Sequence, residues 1–325
     1  MVRLTMAARA LACAAAVWLT ALAPALADSS KADWSACVKA DPSSAAVDAN
    51  QRIGACNRLL QSGDTSPEDA GAILAARAAA HNALRQYDEA LRDIESALAQ
   101  NTRVDAWEFI YRVMGRAQYG LKNYPAAEVA YRQAATYPEA DAWSWARLGD
   151  VEMNQGKYRD AEGHFRKAAE MTPREAEFSS DIADALFAQG RFAEAAPLYA
   201  EALAIDAEPS AWDSVLHYLA TAHAGAGDID RLRADAAEWA EDDGYIAHVG
   251  RLLLGASDDA AFRDALAARA TGSTQPEEAA FWLDFALGQR DLIAGASDTA
   301  RAHLEKAAAT ASVYAVYINA AQFAP

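Results

Sequence analysis

Four short stretches decide how this chain is read: Gln86-Tyr87-Asp88-Glu89-Ala90, Asn123-Tyr124-Pro125-Ala126-Ala127, Lys157-Tyr158-Arg159-Asp160-Ala161 and Arg191-Phe192-Ala193-Glu194-Ala195. An aromatic stands at 87, 124, 158 and 192, and an alanine follows each by three residues. The interval between stretches is 34 to 37 residues. Self-similarity at such a period means stacked supersecondary units, each burying its apolar face on its neighbours.

The fullest unit covers 142–175 and carries Trp145, Leu148, Gly149, Gly156, Tyr158, Ala161, Phe165, Ala168 and Pro173. Trp145, Leu148 and Gly149 fall at i, i+3 and i+4 and so share one helix face. Tyr158, Ala161, Phe165 and Ala168 form the matching face of a second helix. The small residues let two helices approach closely, and the aromatics fill the space between them. Gly156 suits the turn between the helices, where left-handed backbone costs glycine little. Thr172-Pro173-Arg174-Glu175 reads as a helix start with a capping box, and Ser66-Pro67-Glu68-Asp69 announces the first unit in the same way. The fourth unit keeps Gly190, Phe192, Ala195, Tyr199 and Ala202; the second keeps Gly115, Tyr124, Ala127, Tyr131 and Ala134; the first keeps Tyr87, Ala90, Ile94 and Ala97.

This order and spacing resembles the tetratricopeptide repeat. The resemblance implies an all-α fold, a right-handed α-solenoid of helix hairpins, with a concave face lined by the first helix of each pair. Abundant alanine and the lack of alternating β patterns agree with an all-α chain. The expected organisation is an export signal over 1–27, an N-terminal helical hairpin over 28–70, four repeats over 71–208 and degenerate repeats over 209–325. In that last stretch, 244–270 reads as two short helices joined near Ser257-Asp258. Phe281, Leu287, Gly288, Gly295, Ala300, Leu304 and Ala307 restore the pattern, and a final helix over about 312–323 caps the stack.

Residues 1–27 have the form of a secretory signal: Arg3 and Arg9, an apolar run over 10–22, and Ala25-Leu26-Ala27 before Asp28. The run is shorter than the ~20 residues of a membrane span, and Pro24 interrupts it, so cleavage after Ala27 is favoured over a retained anchor. The expected location is the periplasm or the outside of the cell. Cleavage leaves Cys37 and Cys56. An oxidising compartment and an even count favour a disulfide stapling two short helices around the turn at 41–44. A redox or metal pair is the alternative, though the spacing is not Cys-x-x-Cys and no histidine is near. This N-terminal pattern is similar to that of small helical-repeat proteins exported by alphaproteobacteria.

The formal charge is −17; without Arg3 and Arg9 it becomes −19, from 27 basic and 46 acidic residues. Such a chain will not track a phosphate backbone, so nucleic acid is an unfavourable partner. Much of the acid is expected to be a solvated surface. No nucleophile elbow, phosphate loop or paired-histidine zinc motif is present. His217 and His223 are six apart and lie on different faces of a helix. The acids Glu241-Asp242-Asp243 and Asp258-Asp259 read as turns or helix starts. No cofactor, metal or catalytic role is expected.

Projection of the first helices outward gives the candidate partner-binding residues: Arg112, Arg116 and Tyr119; then Trp143, Arg147, Asp150 and Asn154; then Asp181, Asp184 and Phe187. Arginine and aromatic side chains are frequent anchors of recognition surfaces. The same arginines could instead pair with neighbouring acids such as Glu108 and Asp150. The reading is an exported scaffold holding a protein or peptide of mixed charge. Its rivals are a small-molecule or glycan-binding solenoid, an enzyme with a site in the irregular C-terminal half, and a structural spacer.

Overall fold

A computed structural model describes residues 30–39, 48–63, 65–100, 107–138, 140–173, 175–205, 210–242, 244–271 and 277–310. The expected export signal, the turn at 41–44 and the helix at 312–323 lie outside the described residues. All regular elements among the described residues are helices. They group into two compact units, Met1–Glu139 and Ala140–Pro325, a division that falls inside the expected four-repeat stretch.

The first unit begins with a helical segment over 30–39, whose second half, Ser35–Lys39, is a π-helix. It packs on α1 (Ala49–Gln61), and Cys37 is bonded to Cys56 with the two Cα atoms 5.1 Å apart. Both cysteines are buried with Ala55, Leu59, Ile73 and Ala76. Asp33 holds Arg58 at 2.6 Å across this hairpin. The hairpin covers α2 (Pro67–Ala83), which pairs with α3 (Tyr87–Ala99); α4 (Trp107–Gly120) then pairs with α5 (Tyr124–Ala135). Ser66 caps α2, its Oγ accepting from Asp69 N at 3.1 Å, and Pro67 occupies the first turn. Arg77 of α2 ties the hairpin to the repeat: it donates to both Asp93 oxygens and, at 2.6 Å, to Asn57 of α1.

The second unit runs through α6 (Ala142–Asn154), α7 (Tyr158–Met171), α8 (Ala176–Ala188), α9 (Phe192–Ile205) and α10 (Ala211–His223). It continues with α11 (Ile229–Asp235), α12 (Tyr245–Leu253), α13 (Asp259–Ala270), α14 (Glu277–Ile293) and α15 (Ser297–Ala308). The two short helices expected over 244–270 are α12 and α13, and Asp258 caps the latter through a bond from Ala261 N at 2.8 Å. The box expected at Thr172–Glu175 does not form: α8 starts at Ala176, and Glu175 caps it without a side-chain bond. Pro173 therefore serves the turn rather than the helix.

Each second helix of the clear pairs starts at its marker position, and the residues three, seven and ten further on are buried. These are Ala90, Ile94 and Ala97; Ala127, Tyr131 and Ala134; Ala161, Phe165 and Ala168; Ala195, Tyr199 and Ala202; and Ala300, Leu304 and Ala307, none more than 3% exposed. Sixteen residues before each large member of these triplets stands a small one: Ala78, Gly115, Gly149, Ala183 and Gly288. A Cβ on Gly149 would lie 2.5 Å from the Phe165 ring; on Gly115, 2.8 Å from Tyr131; on Gly288, 2.6 Å from Leu304. The first helix must be bare there for the second to close on it.

The turn within each pair is a Schellman motif. Gly156, at φ 72°, donates to Met153 O, and Lys157 N donates to Glu152 O, each at 2.9 Å. Gly190 and Gly295 take the same place, but in the first two repeats it is filled by Arg85 and Lys122, at φ 58° and 59°. Left-handed backbone costs a residue with a Cβ roughly 1–2 kcal/mol.

Two substitutions of opposite sign follow. Gly149→Ala should destabilise by about 1–3 kcal/mol through overpacking against Phe165. Lys122→Gly should stabilise by about 0.5–1 kcal/mol. Urea denaturation followed by circular dichroism measures both; a neutral Gly149→Ala would refute the close-approach account.

Candidate functional site

In the first unit, α4 presents the expected trio Arg112, Arg116 and Tyr119, but not as a matched pair of cations. Arg112 Nε donates to Glu108 at 3.0 Å, one turn earlier, and its guanidinium lies 5.2 Å from the Phe109 ring centre. Its charge is thus largely neutralised within its own helix. Arg116 is exposed and makes no ion pair among the described residues. Tyr119 is 36% exposed and meets Tyr124 edge-on.

In the second unit, α6 and α8 lie side by side as the first helices of adjacent pairs. Their shared face gathers Trp143, Arg147 and Asp150 from α6 with Glu177 and Asp181 from α8. Trp143 is 37% exposed, its inner edge against the buried Phe178 at 5.0 Å between ring centres. Arg147 lies over the Trp143 ring at 5.4 Å. Its Nη1 donates to Asp150 at 2.6 Å, and its Nη2 stands 3.6 Å from Glu177. Asn154 turns inward along its own helix and donates to Asp150 O at 2.8 Å.

Two candidates are corrected. Asp184 is buried, not outward-facing: it accepts from the Tyr199 hydroxyl at 2.5 Å and from Trp212 Nε1 at 3.3 Å. Trp212 arrives from α10 and covers the position. Phe187 is fully buried in the core of the unit, edge-on to Phe192. Both stand where a lone helix would face solvent; the next helix in the stack covers them.

Three residues of this face escaped the projection: Glu177, Ser180 and Asp213. With Glu175 and Ala176 they line an open depression of about 270 Å³. Asp213 is held by Ser180 Oγ at 2.5 Å and Ser210 Oγ at 2.8 Å. A signal for Glu177 existed, since it lies one period of 34 residues after Trp143.

Carboxyls outnumber cations here, and their proton affinities show it. Burial raises Asp150 against the opposing pull of Arg147. Burial also raises Glu177. Asp181 is raised well above the ordinary carboxylate range, first by burial and then by Asp150, Asp184 and Glu177. Among the described residues, no group of three His, Cys, Asp or Glu side chains could hold a metal ion. No described helix is long and apolar enough to cross a membrane.

The raised Asp181 has a signed consequence. The folded state binds this proton more tightly than the unfolded chain, so the ionised carboxylate destabilises the fold above its raised pKa. Asp181→Asn should therefore stabilise at pH 7 by about 1 kcal/mol, a gain of ~2–4 °C in Tm. The gain should fade as pH falls through the raised pKa, where the parent carboxyl protonates. Calorimetry at several pH values tests this, and a loss of stability at pH 7 would contradict it.

Residues 146–211 match the model of the tetratricopeptide repeat family. No curated protein matches this chain. Among solved structures it is similar to that titled "Functional Characterization of Pseudomonas Aeruginosa pilF", at 18% identity and TM-score 0.50, over 59% of this chain and 83% of that one. It is also similar to the apo form of RapI, at 10% identity and TM-score 0.51, over 80% of this chain and 70% of that one. At these identities the likeness is one of fold. The matched segment holds α7, α8 and α9, and the same spacing of small and large residues recurs in α2–α5 and in α14–α15; the chain is a helical-repeat protein whose helix pairs are similar to those of the tetratricopeptide repeat.

Proposed function

We propose that this chain is an exported scaffold that binds a partner protein or peptide through the shared face of α6 and α8, without covalent chemistry. The observation that carries the reading is the half-exposed Trp143 with Arg147 stacked on it, beside the under-neutralised carboxyls Asp150, Glu177 and Asp181. An aromatic anchor flanked by fixed charge is a common arrangement at protein interfaces. The excess of acid favours a partner segment with lysine or arginine next to an apolar side chain. Arg112 contributes little, being engaged by Glu108. The export half of the proposal rests on the pattern of residues 1–27, and the cell envelope or the medium is where the partner would be met.

Two experiments test the two halves. Protein recovered from the envelope or medium should begin at Asp28 by N-terminal sequencing; an intact Met1 would refute export by a cleaved signal. Capture from envelope extract should use the chain from Asp28 onward, with Glu177→Lys/Asp181→Asn and Arg112→Glu/Arg116→Glu variants beside it. The first variant should lose the enriched protein, and the second should lose less. Equal recovery by the parent and the Glu177→Lys/Asp181→Asn variant would overturn the assignment of the face.

A further inference from the structure

α10 is where the regular repeats of the second unit meet its irregular half. On one side it packs on α9, the full-length second helix of the preceding pair; on the other it meets α11, α12 and α14. α11 has only seven residues, against fourteen in α9, and buries only Leu232 and Asp235. The missing volume is filled by Trp239, whose ring would lie 2.7 Å from a Cβ on Gly250 of α12. Trp239 Nε1 is buried with no hydrogen-bond partner among the described residues. A buried donor without a partner forfeits the hydrogen bond that water would give it in the unfolded chain. The α11–α12 side is therefore held less well than the repeats before it.

Two histidines of α10 sit at this junction, on different faces of the helix. His217 is 7% exposed, and the charged groups acting on it are Asp228, Arg231 and Asp235, all from α11 and its cap. His223 is stacked on Phe192 of α9 at 4.4 Å and bonded through Nε2 to Gln289 of α14 at 2.6 Å. Gln289 is fully buried. Charged groups on the other helices against α10 are engaged elsewhere. Arg251 of α12 bonds His248 and the carbonyls of Ala240 and Asp242. Glu194 of α9 pairs with Arg191, Asp284 of α14 with His303, and Arg290 with Asp259.

We propose that α10 is an acid-sensitive joint: when His217 and His223 take up protons, α11, α12 and α14 loosen from α10 while α6–α9 stays folded. The geometry places both imidazoles inside the contacts that such release would break. Burial lowers the pKa of both, outweighing Asp228 and Asp235 at His217 and the Gln289 bond at His223. A lowered histidine stabilises the fold fully above its unfolded value, near 6.5, and that contribution is lost as pH falls below it. The face of α6 and α8 responds with the opposite sign, because protons taken up by Asp150, Glu177 and Asp181 relieve their burial and mutual repulsion. Mild acid thus separates two parts of one unit. The device matters only where pH varies, as it does outside the cytoplasm.

Hydrogen exchange of the full chain, corrected for intrinsic rates, reads this directly. Between pH 7.5 and 5.5, peptides within 229–253 and 277–293 should lose at least tenfold in protection, reversibly, while those within 142–188 keep or gain it. The midpoint should lie below the ordinary histidine value of about 6.5. His217→Gln/His223→Gln, checked for native helicity at pH 7.5, should abolish the response; if it misfolds, the single variants should each remove part of it. Unchanged protection over 229–253 and 277–293, loss across the whole unit together, a midpoint in the carboxylate range, or an undiminished response in the folded variants would each overturn the proposal.

Discussion

The repeats depend on one steric constraint: a glycine or alanine on the first helix of each clear pair faces a large side chain on the second. Gly149 under the Phe165 ring shows it most clearly, and Gly115 with Tyr131 and Gly288 with Leu304 reproduce it. Ala78 with Ile94 and Ala183 with Tyr199 are the looser versions. Close approach brings dispersion contacts along the whole length of both helices. It also explains why alanine recurs four residues before and three after the large residue: any longer side chain there would hold the helices apart.

Polar groups reinforce the stack where the apolar triplets leave room. Glu162 on α7 accepts from Arg166 on its own helix and from Gln189 and Arg191 at the turn of the next pair. Arg191 also holds Glu194 at 2.6 Å. Charges of this kind, part-exposed, contribute modestly one by one and more as a network. His164 with the buried Glu152, and His303 with Asp284, are bonds within a pair rather than between pairs. In the first unit, Arg77 reaches from α2 both to Asp93 within its repeat and to Asn57 of the disulfide hairpin. The hairpin therefore closes an end of the stack that would otherwise expose Ile73 and Ala76.

The face of α6 and α8 departs from this economy. Packing alone would neutralise or remove Asp181, which instead sits beside Asp150 and Glu177 with Arg147 as the nearby cation. Sequences tend to break local rules where function asks for it. The irregular stretch after α10 departs in another way, with a shortened α11 and an indole standing in for a second helix.

The pairing of helices was legible in the sequence, because a period near 34 with an aromatic, a following alanine and a left-handed turn is a local pattern. Even the degenerate α12 and α13, and the return of the pattern at Gly288 and Leu304, could be read from spacing. The candidate face was only half legible. Arg147, Asp150 and Trp143 stand where the helix projection put them, yet Asp184 and Phe187, on the next helix, do not. The sequence by itself determined which residues of a helix share a side, since 3.6 residues per turn sets that without reference to anything else. Only the tertiary structure decided which of those sides met water. That depended on Trp212 reaching back over Asp184, on Glu108 claiming Arg112, and on the missing turns of α11, all of which are contacts between or along helices that no single helix specifies.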